Sequence, residues 1–262
     1  DSGKITPEAS YTDTGTVKIG DRTIENYGKR AYGQRTMTEV LERSINTGAV
    51  FAEKQAGHKT FLDYLSKFGL FDPTGIDLQG ESYSENKKLK QGAEIDYATA
   101  SFGQGIEITP IQLARAFAAI ANGGRLVRPH IAEKIGNETI APSVSDQQVI
   151  SEATSSKLTA MLVSVVENGF SKAAKIEGYY IAGKTGTAQM PWSALGVNKK
   201  GYSDKTWQSF IGYFPAFKPE YLVLVKLNNP STGTAEYSAL PVFREMVQRI
   251  INYYSVPPDY EQ

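Results

Sequence analysis

The sequence contains no cysteine and only two histidines among its 262 residues. Without cysteine, the chain cannot form a disulfide, a zinc–thiolate site or a cysteine nucleophile. His58 and His130 lie far apart in the sequence, and neither has a second histidine close to it. We therefore expect no histidine-based catalytic triad, no metal site and no cofactor.

Long apolar runs and an excess of one charge are also missing. No run reaches the roughly 18 residues that a membrane-spanning helix needs, and no signal peptide is recognisable at Asp1. If the protein is secreted or anchored, we expect its targeting element to lie outside this sequence. The 28 basic residues balance the 28 acidic ones, so no net charge attracts the chain to nucleic acid or to an anionic membrane. The length suits one large domain or two small ones.

The stretch Gly183–Gln189 carries the clearest chemical signal. It follows Tyr179–Ala182, whose aromatic and β-branched residues are typical of a strand. Its cation and hydroxyls can bind a carboxylate, and its glycines let a ligand approach the backbone closely, with N–H groups left for an oxyanion. Side chains alternate along a strand, so Thr185 and Thr187 share one face and Lys184 points to the other. All three can serve one substrate only if a cleft runs along the strand's edge, which we predict.

The same region admits an interpretation from another class of protein. Gly178–Thr185 matches the phosphate-binding loop G-x-x-x-x-G-K-[ST]. That loop requires a buried strand before its first glycine and a helix after its last residue. Here the charged segment Ser171–Glu177 precedes the match, and Gly186–Pro191 is a poor start for a helix. A P-loop NTPase is therefore an alternative, but a less favoured one.

Local patterns predict most of the remaining elements. A capping box at Thr36–Glu39 indicates that a helix begins at Thr36. Residues two apart on a helix point about 200° away from each other, so Ser44 and Asn46 can act on one substrate only if the helix breaks at Ile45. We expect Asp1–Gly33 to be an extended loop with a short strand-like patch. Further helices are predicted at 49–56, 60–68, 106–121, from 151 or 154 to 168, and 240–254, strands near 179–189, 206–214 and 221–228, and a hairpin at 131–140.

Ser44-Ile45-Asn46 and Lys184-Thr185-Gly186 resemble two of the three motifs of penicillin-recognising serine enzymes, S-x-N and K-T-G. Other segments are similar to class B penicillin-binding proteins and occur in the order found in that family. These segments are Ser101–Gly105, Ile108–Leu113, Gly183–Gln189, Ser209–Ala216 and Asn229-Pro230. The resemblance runs from about Ile5 to the last helix.

The third motif of the family, S-x-x-K, supplies the nucleophile and precedes S-x-N. The resemblance places it just upstream of Asp1. The only match in this sequence, Ser84–Lys87, follows S-x-N and lies in a charged segment, where its lysine is poorly placed to be desolvated and activated. We therefore interpret it as a coincidence. We expect residues 1–262 to be the C-terminal part of a single transpeptidase domain, inactive alone.

The resemblance implies acyl transfer from D-Ala-D-Ala stem peptides of peptidoglycan, with β-lactams as inhibitors. It assigns catalytic roles to Ser44, Asn46 and Lys184, with Ser44 relaying a proton, Asn46 binding the substrate amide and Lys184 keeping the field positive. Thr185, Gly186 and Thr187 would bind substrate, the two threonines through the substrate carboxylate. The Thr187 N–H would form half of the oxyanion hole.

The family's α+β fold has a five-stranded antiparallel sheet flanked by helices, of which this chain would lack two strands. Further expectations are an extracytoplasmic location, a parent protein anchored by an N-terminal helix outside this sequence, and partners among cell-wall synthesis or division proteins. A non-catalytic module that binds stem peptides or a division protein remains the main alternative.

Overall fold

The structure is a computed structural model that describes residues 1–141 and 143–260. The chain divides into two compact units, of which the first comprises Asp1–Met37 and Ile45–Thr159. The second comprises Thr38–Ser44 and the residues from Ala160 onward. That residues 1–262 form part of a single domain remains a prediction.

The helices and strands alternate irregularly along the chain. The helices are α1 (Met37–Glu42), α2 (Asn46–Ala56), α3 (His58–Lys67), α4 (Lys87–Lys90), α5 (Glu94–Ala100), α6 (Pro110–Ala121), α7 (Glu152–Glu167) and α8 (Ala239–Tyr254). The strands are β1 (Ser10–Asp13), β2 (Thr16–Ile19), β3 (Arg22–Glu25), β4 (Gly33–Thr36), β5 (Arg125–Arg128), β6 (Lys134–Ile135), β7 (Glu138–Thr139), β8 (Ser143–Gln148), β9 (Ala182–Pro191), β10 (Tyr202–Phe214) and β11 (Tyr221–Asn228).

The second unit is built on a three-stranded antiparallel sheet in the order β11-β10-β9. Strands β10 and β11 are rich in aromatic and β-branched residues, which favour a pleated surface. Helix α8 packs Leu240, Phe243 and Val247 into a core that includes Phe210 and Phe214 of β10. Within the described residues, β9 forms one edge of this sheet. The three predicted strands are confirmed, and β10 pairs with β11 in antiparallel orientation.

The first unit contains the N-terminal hairpins. Strand β1 pairs with β4, and β2 pairs with β3, both antiparallel. Ile19 and Ile24 of the second hairpin pack against Val50 of α2 and Ala98 of α5. The prediction that Asp1–Gly33 is an extended loop is therefore wrong. Each strand has only four residues, of which at most one is buried, so the hydrophobic signal in the sequence is weak.

The residues around Thr109 determine where helix α6 begins. Thr109 accepts a hydrogen bond from the Gln112 N–H, and the Gln112 side chain accepts one from the Thr109 N–H. This is a capping box followed by proline in the first turn. The helix therefore begins at Pro110, after the cap residue Thr109, and not at residue 106 as predicted. Among the described residues, no helix is both long enough and apolar enough to cross a bilayer.

Candidate active site

Strand β9 places the Lys-Thr-Gly segment at the edge of the three-stranded sheet. Lys184 lies opposite Ile211 of β10, and Thr185 lies opposite Phe210. The strand continues without interruption from Ala182 to Pro191. Its second side has no partner strand within the described part of the chain. A ligand that lies along this edge can therefore pair with the backbone of the strand.

Ser44 reaches this edge because α1 stops two residues before it. The Ser44 backbone is left-handed, with φ +52°, and its N–H donates to the Leu41 carbonyl at 3.2 Å. Glu42, the last residue of α1, is held within the second unit by two hydrogen bonds. Its carbonyl accepts one from the Phe170 N–H at 3.1 Å, and its carboxylate accepts one from the Ser164 hydroxyl at 2.5 Å. The predicted break in the helix is present, and it frees the Ser44 side chain from the helix surface.

Lys184 and Ser44 are in direct contact. The Lys184 ammonium donates to Ser44 Oγ at 2.8 Å and to the Thr185 carbonyl at 3.1 Å. The lysine is partly buried, and removal of its ammonium from water lowers its pKa to about 8, against an opposing influence from the Glu236 carboxylate. Below about pH 8 the lysine is therefore charged and holds a serine hydroxyl.

The threonines of the segment have different environments. The Thr187 hydroxyl accepts a hydrogen bond from the Ala235 N–H at 3.2 Å, which leaves its proton available for donation to a ligand. The Thr185 residue is partly buried, and its carbonyl faces the lysine. A carboxylate at this edge could therefore meet one ammonium and two hydroxyls.

The two glycines of the segment allow close packing within the sheet. A Cβ atom on Gly183 would lie 2.8 Å from the Phe210 ring and 3.1 Å from the Ile211 carbonyl. A Cβ atom on Gly186 would lie 2.8 Å from Ser209 Oγ. The contact of Gly183 with a buried ring gives that glycine a packing role, whereas the sequence analysis emphasised space for a ligand.

Replacement of Gly183 by alanine is expected to lower the free energy of unfolding by about 1–3 kcal/mol, because the added methyl group must displace the Phe210 ring. Gly233→Ala is the matched control, since a Cβ atom there meets nothing within 4 Å. Urea unfolding of both variants measures the effect. Equal stability of the two variants would contradict the packing role.

Asn46 is held within the first unit. It is the first residue of α2, and its side-chain amide donates to the Glu25 carbonyl at 3.0 Å. The following residue, Thr47, donates its hydroxyl to Asp13 at 2.6 Å and its N–H to Asn26 at 3.1 Å. The start of α2 is therefore tied to both N-terminal hairpins, a connection that the sequence analysis missed.

The two competing motifs do not form the sites that their patterns suggest. In Gly178–Thr185, strand β9 begins at Ala182 and runs through Lys184 and Thr185, and no helix follows; the P-loop interpretation is wrong. In Ser84–Lys87, the serine hydroxyl donates to Glu107 at 2.7 Å, whereas Lys87 pairs with Glu85 at 3.3 Å. That serine has no lysine to activate it.

Glu236, whose carboxylate opposes the effect of burial on the pKa of Lys184, was not predicted from the sequence. No sequence pattern connects Glu236 with Lys184, which lies some 50 positions earlier in the chain. Within residues 1–141 and 143–260, no group of three or more His, Cys, Asp and Glu side chains is arranged to hold a metal ion.

Comparison with known sequences gives a consistent result. Residues 1–248 match a family model described as the penicillin-binding protein transpeptidase domain. Stage V sporulation protein D of Bacillus subtilis is 33% identical in an alignment that covers 96% of this chain and 40% of that protein. Peptidoglycan D,D-transpeptidase FtsI of Escherichia coli K12 is 30% identical, with 97% and 42% covered. The chain thus spans about two fifths of the curated relatives it matches.

Comparison with solved structures gives the same fold. Penicillin-binding protein 3 of Mycobacterium tuberculosis, complexed with aztreonam, superposes with a TM-score of 0.84 and 29% identity, over 98% of this chain and 60% of that one. The transpeptidase domain of penicillin-binding protein 3 from Burkholderia pseudomallei gives 0.85 and 27%, over 98% and 76%. The predicted α+β fold class is confirmed.

Proposed function

Because the chain belongs to the penicillin-binding protein transpeptidase domain family, we propose that it is part of a serine-type peptidoglycan D,D-transpeptidase. The observation that carries this proposal is the hydrogen bond from Lys184 to Ser44, at 2.8 Å, at the open edge of β9. This contact brings together a cation, a hydroxyl that can pass on a proton, and an unpaired strand edge. These features suit acyl transfer from a peptide with a terminal carboxylate.

The proposed reaction has two steps. A serine attacks the carbonyl of the D-Ala-D-Ala bond, and the proton passes through Ser44 to the departing D-Ala amine. An amine from a second stem peptide then attacks the ester carbonyl, the bond from that carbonyl to the serine oxygen breaks, and the proton lost by the amine returns to the serine oxygen. Lys184 stays protonated and favours the substrate carboxylate, which the Thr185 and Thr187 hydroxyls also bind.

The Thr187 backbone, Gly186 and Asn46 also receive roles in this proposal. The Thr187 N–H donates to the developing oxyanion. Because Gly186 has no side chain, the substrate backbone can lie close to the strand edge. Asn46 hydrogen-bonds the substrate amide, as its place in the S-x-N motif implies.

The nucleophile of this proposal lies outside these 262 residues. The one S-x-x-K match has its serine bonded to Glu107 and its lysine paired with Glu85, so it lacks the serine–lysine contact that activation requires. The missing part of the domain is then a required partner of this chain.

The proposal extends to ligands and location. Its ligands are stem peptides and β-lactams, and its site of action is the outer side of the cytoplasmic membrane, where the parent protein is held by an N-terminal anchor. Cell-wall synthesis or division proteins are its proposed partners. The names of the relatives support the ligands, whereas the location, the anchor and the protein partners are what the resemblance implies.

A fluorescent penicillin tests the proposal. It is expected to label the full-length protein covalently at a serine upstream of Asp1 and to leave the 262-residue chain unlabelled. Release of D-Ala from a stem pentapeptide by the full-length protein would separate an enzyme from a module that only binds stem peptides. Labelling of the isolated chain would contradict the external nucleophile, and absence of both labelling and D-Ala release would favour the binding module.

A further inference from the structure

Gln208 of β10 is a fully buried polar residue beside the candidate active site. It is 0% exposed, and it lies opposite Thr187 of β9. Residues directly opposite each other in an antiparallel pair have their side chains on the same face of the sheet. The Gln208 side chain is therefore on the face that carries the Thr187 hydroxyl, one strand further from the open edge.

The side-chain amide of Gln208 uses all of its hydrogen-bonding capacity. A primary amide has two donors and two acceptor lone pairs. Its nitrogen donates to the Thr206 hydroxyl at 3.0 Å and to the Thr232 carbonyl at 2.6 Å. Its oxygen accepts the hydroxyl of Thr232, at 3.1 Å, and that of Ser238. Because the Thr232 carbonyl can only accept, the amide nitrogen must face it, and the orientation of the amide is fixed.

This one side chain holds both ends of the segment formed by residues 232–238. The first and the last residue of the segment are both bonded to the amide of Gln208. Between them, Ala235 is fully buried in the core, and its N–H donates to the Thr187 hydroxyl at 3.2 Å. The position of that N–H relative to β9 is therefore set from β10, through Gln208.

The Ala235 N–H determines what the Thr187 hydroxyl can do. A hydroxyl has one proton and two lone pairs, and the N–H occupies one lone pair. Thr187 is exposed at the strand edge, so its proton is available to a ligand. A carboxylate can only accept hydrogen bonds and therefore needs such a donor. Without the N–H, the threonine could turn to another rotamer and donate its proton elsewhere.

We propose that Gln208 is a positioning residue that presents the Thr187 hydroxyl as a donor to the substrate carboxylate. The inference rests on the proposed function, in which that carboxylate is the terminal group of a stem peptide. Gln208 acts through residues 232–238 and does not touch the substrate. Loss of its amide would deprive both ends of the segment of their partner, which is costly. The segment would then move toward water and take the Ala235 N–H away from β9.

Hydrogen–deuterium exchange of the full-length protein tests the hold on the segment. Gln208→Met removes the amide at nearly constant length and volume. Exchange of the peptide that contains residues 232–238 is expected to become faster by on the order of tenfold, because the segment can open locally. Gln112→Met is the matched control, since Gln112 is also fully buried but bonds the Leu70 and Asp72 carbonyls of the first unit. Unchanged exchange in Gln208→Met, or equal acceleration in both variants, would overturn the inference.

The effect on carboxylate recognition is measured with two substrates. One is a stem pentapeptide with a free terminal carboxylate, and the other is its C-terminal amide. The ratio of their kcat/KM values, from release of D-Ala and of D-alaninamide, cancels any loss of folded protein. In Gln208→Met this ratio is expected to fall by about five- to tenfold, because a charge-assisted hydrogen bond is stronger than a neutral one. Gln112→Met should keep the wild-type ratio.

A double variant shows whether Gln208 acts through Thr187. Thr187→Val removes the hydroxyl that Gln208 is proposed to present. The ratio in Thr187→Val/Gln208→Met should therefore equal that in Thr187→Val alone, because the two changes affect one interaction. Losses that multiply in the double variant would overturn the inference.

The two measurements separate this inference from the proposed function. Faster exchange together with a lowered ratio supports both. Normal release of D-Ala with an unchanged ratio in Gln208→Met overturns the inference and supports the proposed function. Faster exchange of residues 232–238 in a protein whose wild type releases neither product supports the hold on the segment and overturns the proposed function.

Discussion

A Lys184→Met variant of the full-length protein is expected to be acylated by penicillin about 10²–10³ times more slowly than the wild type. The substitution keeps an unbranched side chain but removes the ammonium that donates to Ser44 at 2.8 Å. Loss of one preorganised donor at a developing charge typically costs a factor of this size. The substrate carboxylate also loses its cation, so binding weakens together with the chemical step. Stopped-flow measurement of acyl-enzyme formation gives the rate.

Lys226→Met provides the control for this rate. Lys226 lies in the same sheet, on β11, where its ammonium contacts Asn228 at 2.6 Å and the Trp207 ring at 5.4 Å. Lys226→Met changes the net charge by the same amount as Lys184→Met. Its acylation rate should stay within about twofold of the wild-type rate, since surface substitutions have small effects. A loss of less than tenfold in Lys184→Met would show that the Lys184–Ser44 contact is not part of the reaction.

The residues of the candidate site could be predicted from the sequence because short, local motifs contain them. The run from Gly183 to Gln189 combines a cation and hydroxyls and follows a segment with strand propensity, and strand β9 contains it. The requirement that the helix break near Ile45 followed from helix geometry alone. Membership of the penicillin-binding family was also inferred from these short segments and is confirmed by the match over residues 1–248.

The features that escaped prediction depend on contacts between distant parts of the chain. The turn Ala235–Tyr237 docks on β9 through the hydrogen bond from the Ala235 N–H to the Thr187 hydroxyl, and no periodicity in the sequence reveals this contact. Gly183 is required by the ring of Phe210 on the next strand. The N-terminal strands are too short and too polar to stand out, and they are stabilised by packing on α2 and by a buried network centred on Asp13.

That network makes Asp13 the site of the largest expected stability effect. Asp13 is only 2% exposed, and it accepts hydrogen bonds from the N–H groups of Gly15 and Tyr32, the Asn26 amide and the Thr47 hydroxyl. Asp13→Ala leaves these buried donors unsatisfied and is expected to lower the free energy of unfolding by about 3–5 kcal/mol. Urea unfolding measures the change.

Asp21→Ala, at the exposed turn between β2 and β3, controls for the loss of one acidic residue from the same unit. It should change stability by no more than about 0.5 kcal/mol. If the two alanine variants were equally stable, the network would not hold the N-terminal hairpins to α2.

The charge of Asp13 can be tested separately from its hydrogen bonds. Burial by itself raises the pKa of this carboxyl, but the donors from Thr47, Gly15, Tyr32 and Asn26 outweigh burial and hold the pKa below its ordinary value. A carboxyl with a depressed pKa contributes stability that is present above its unfolded-state pKa, about 3.9, and is lost as the pH falls through the lower folded-state value. The stability difference between wild type and Asp13→Asn should therefore be largest near pH 6–7 and should narrow below about pH 4. A difference that does not change with pH would mean that the four donors bind the side chain by shape and dipole alone, with no contribution from its negative charge.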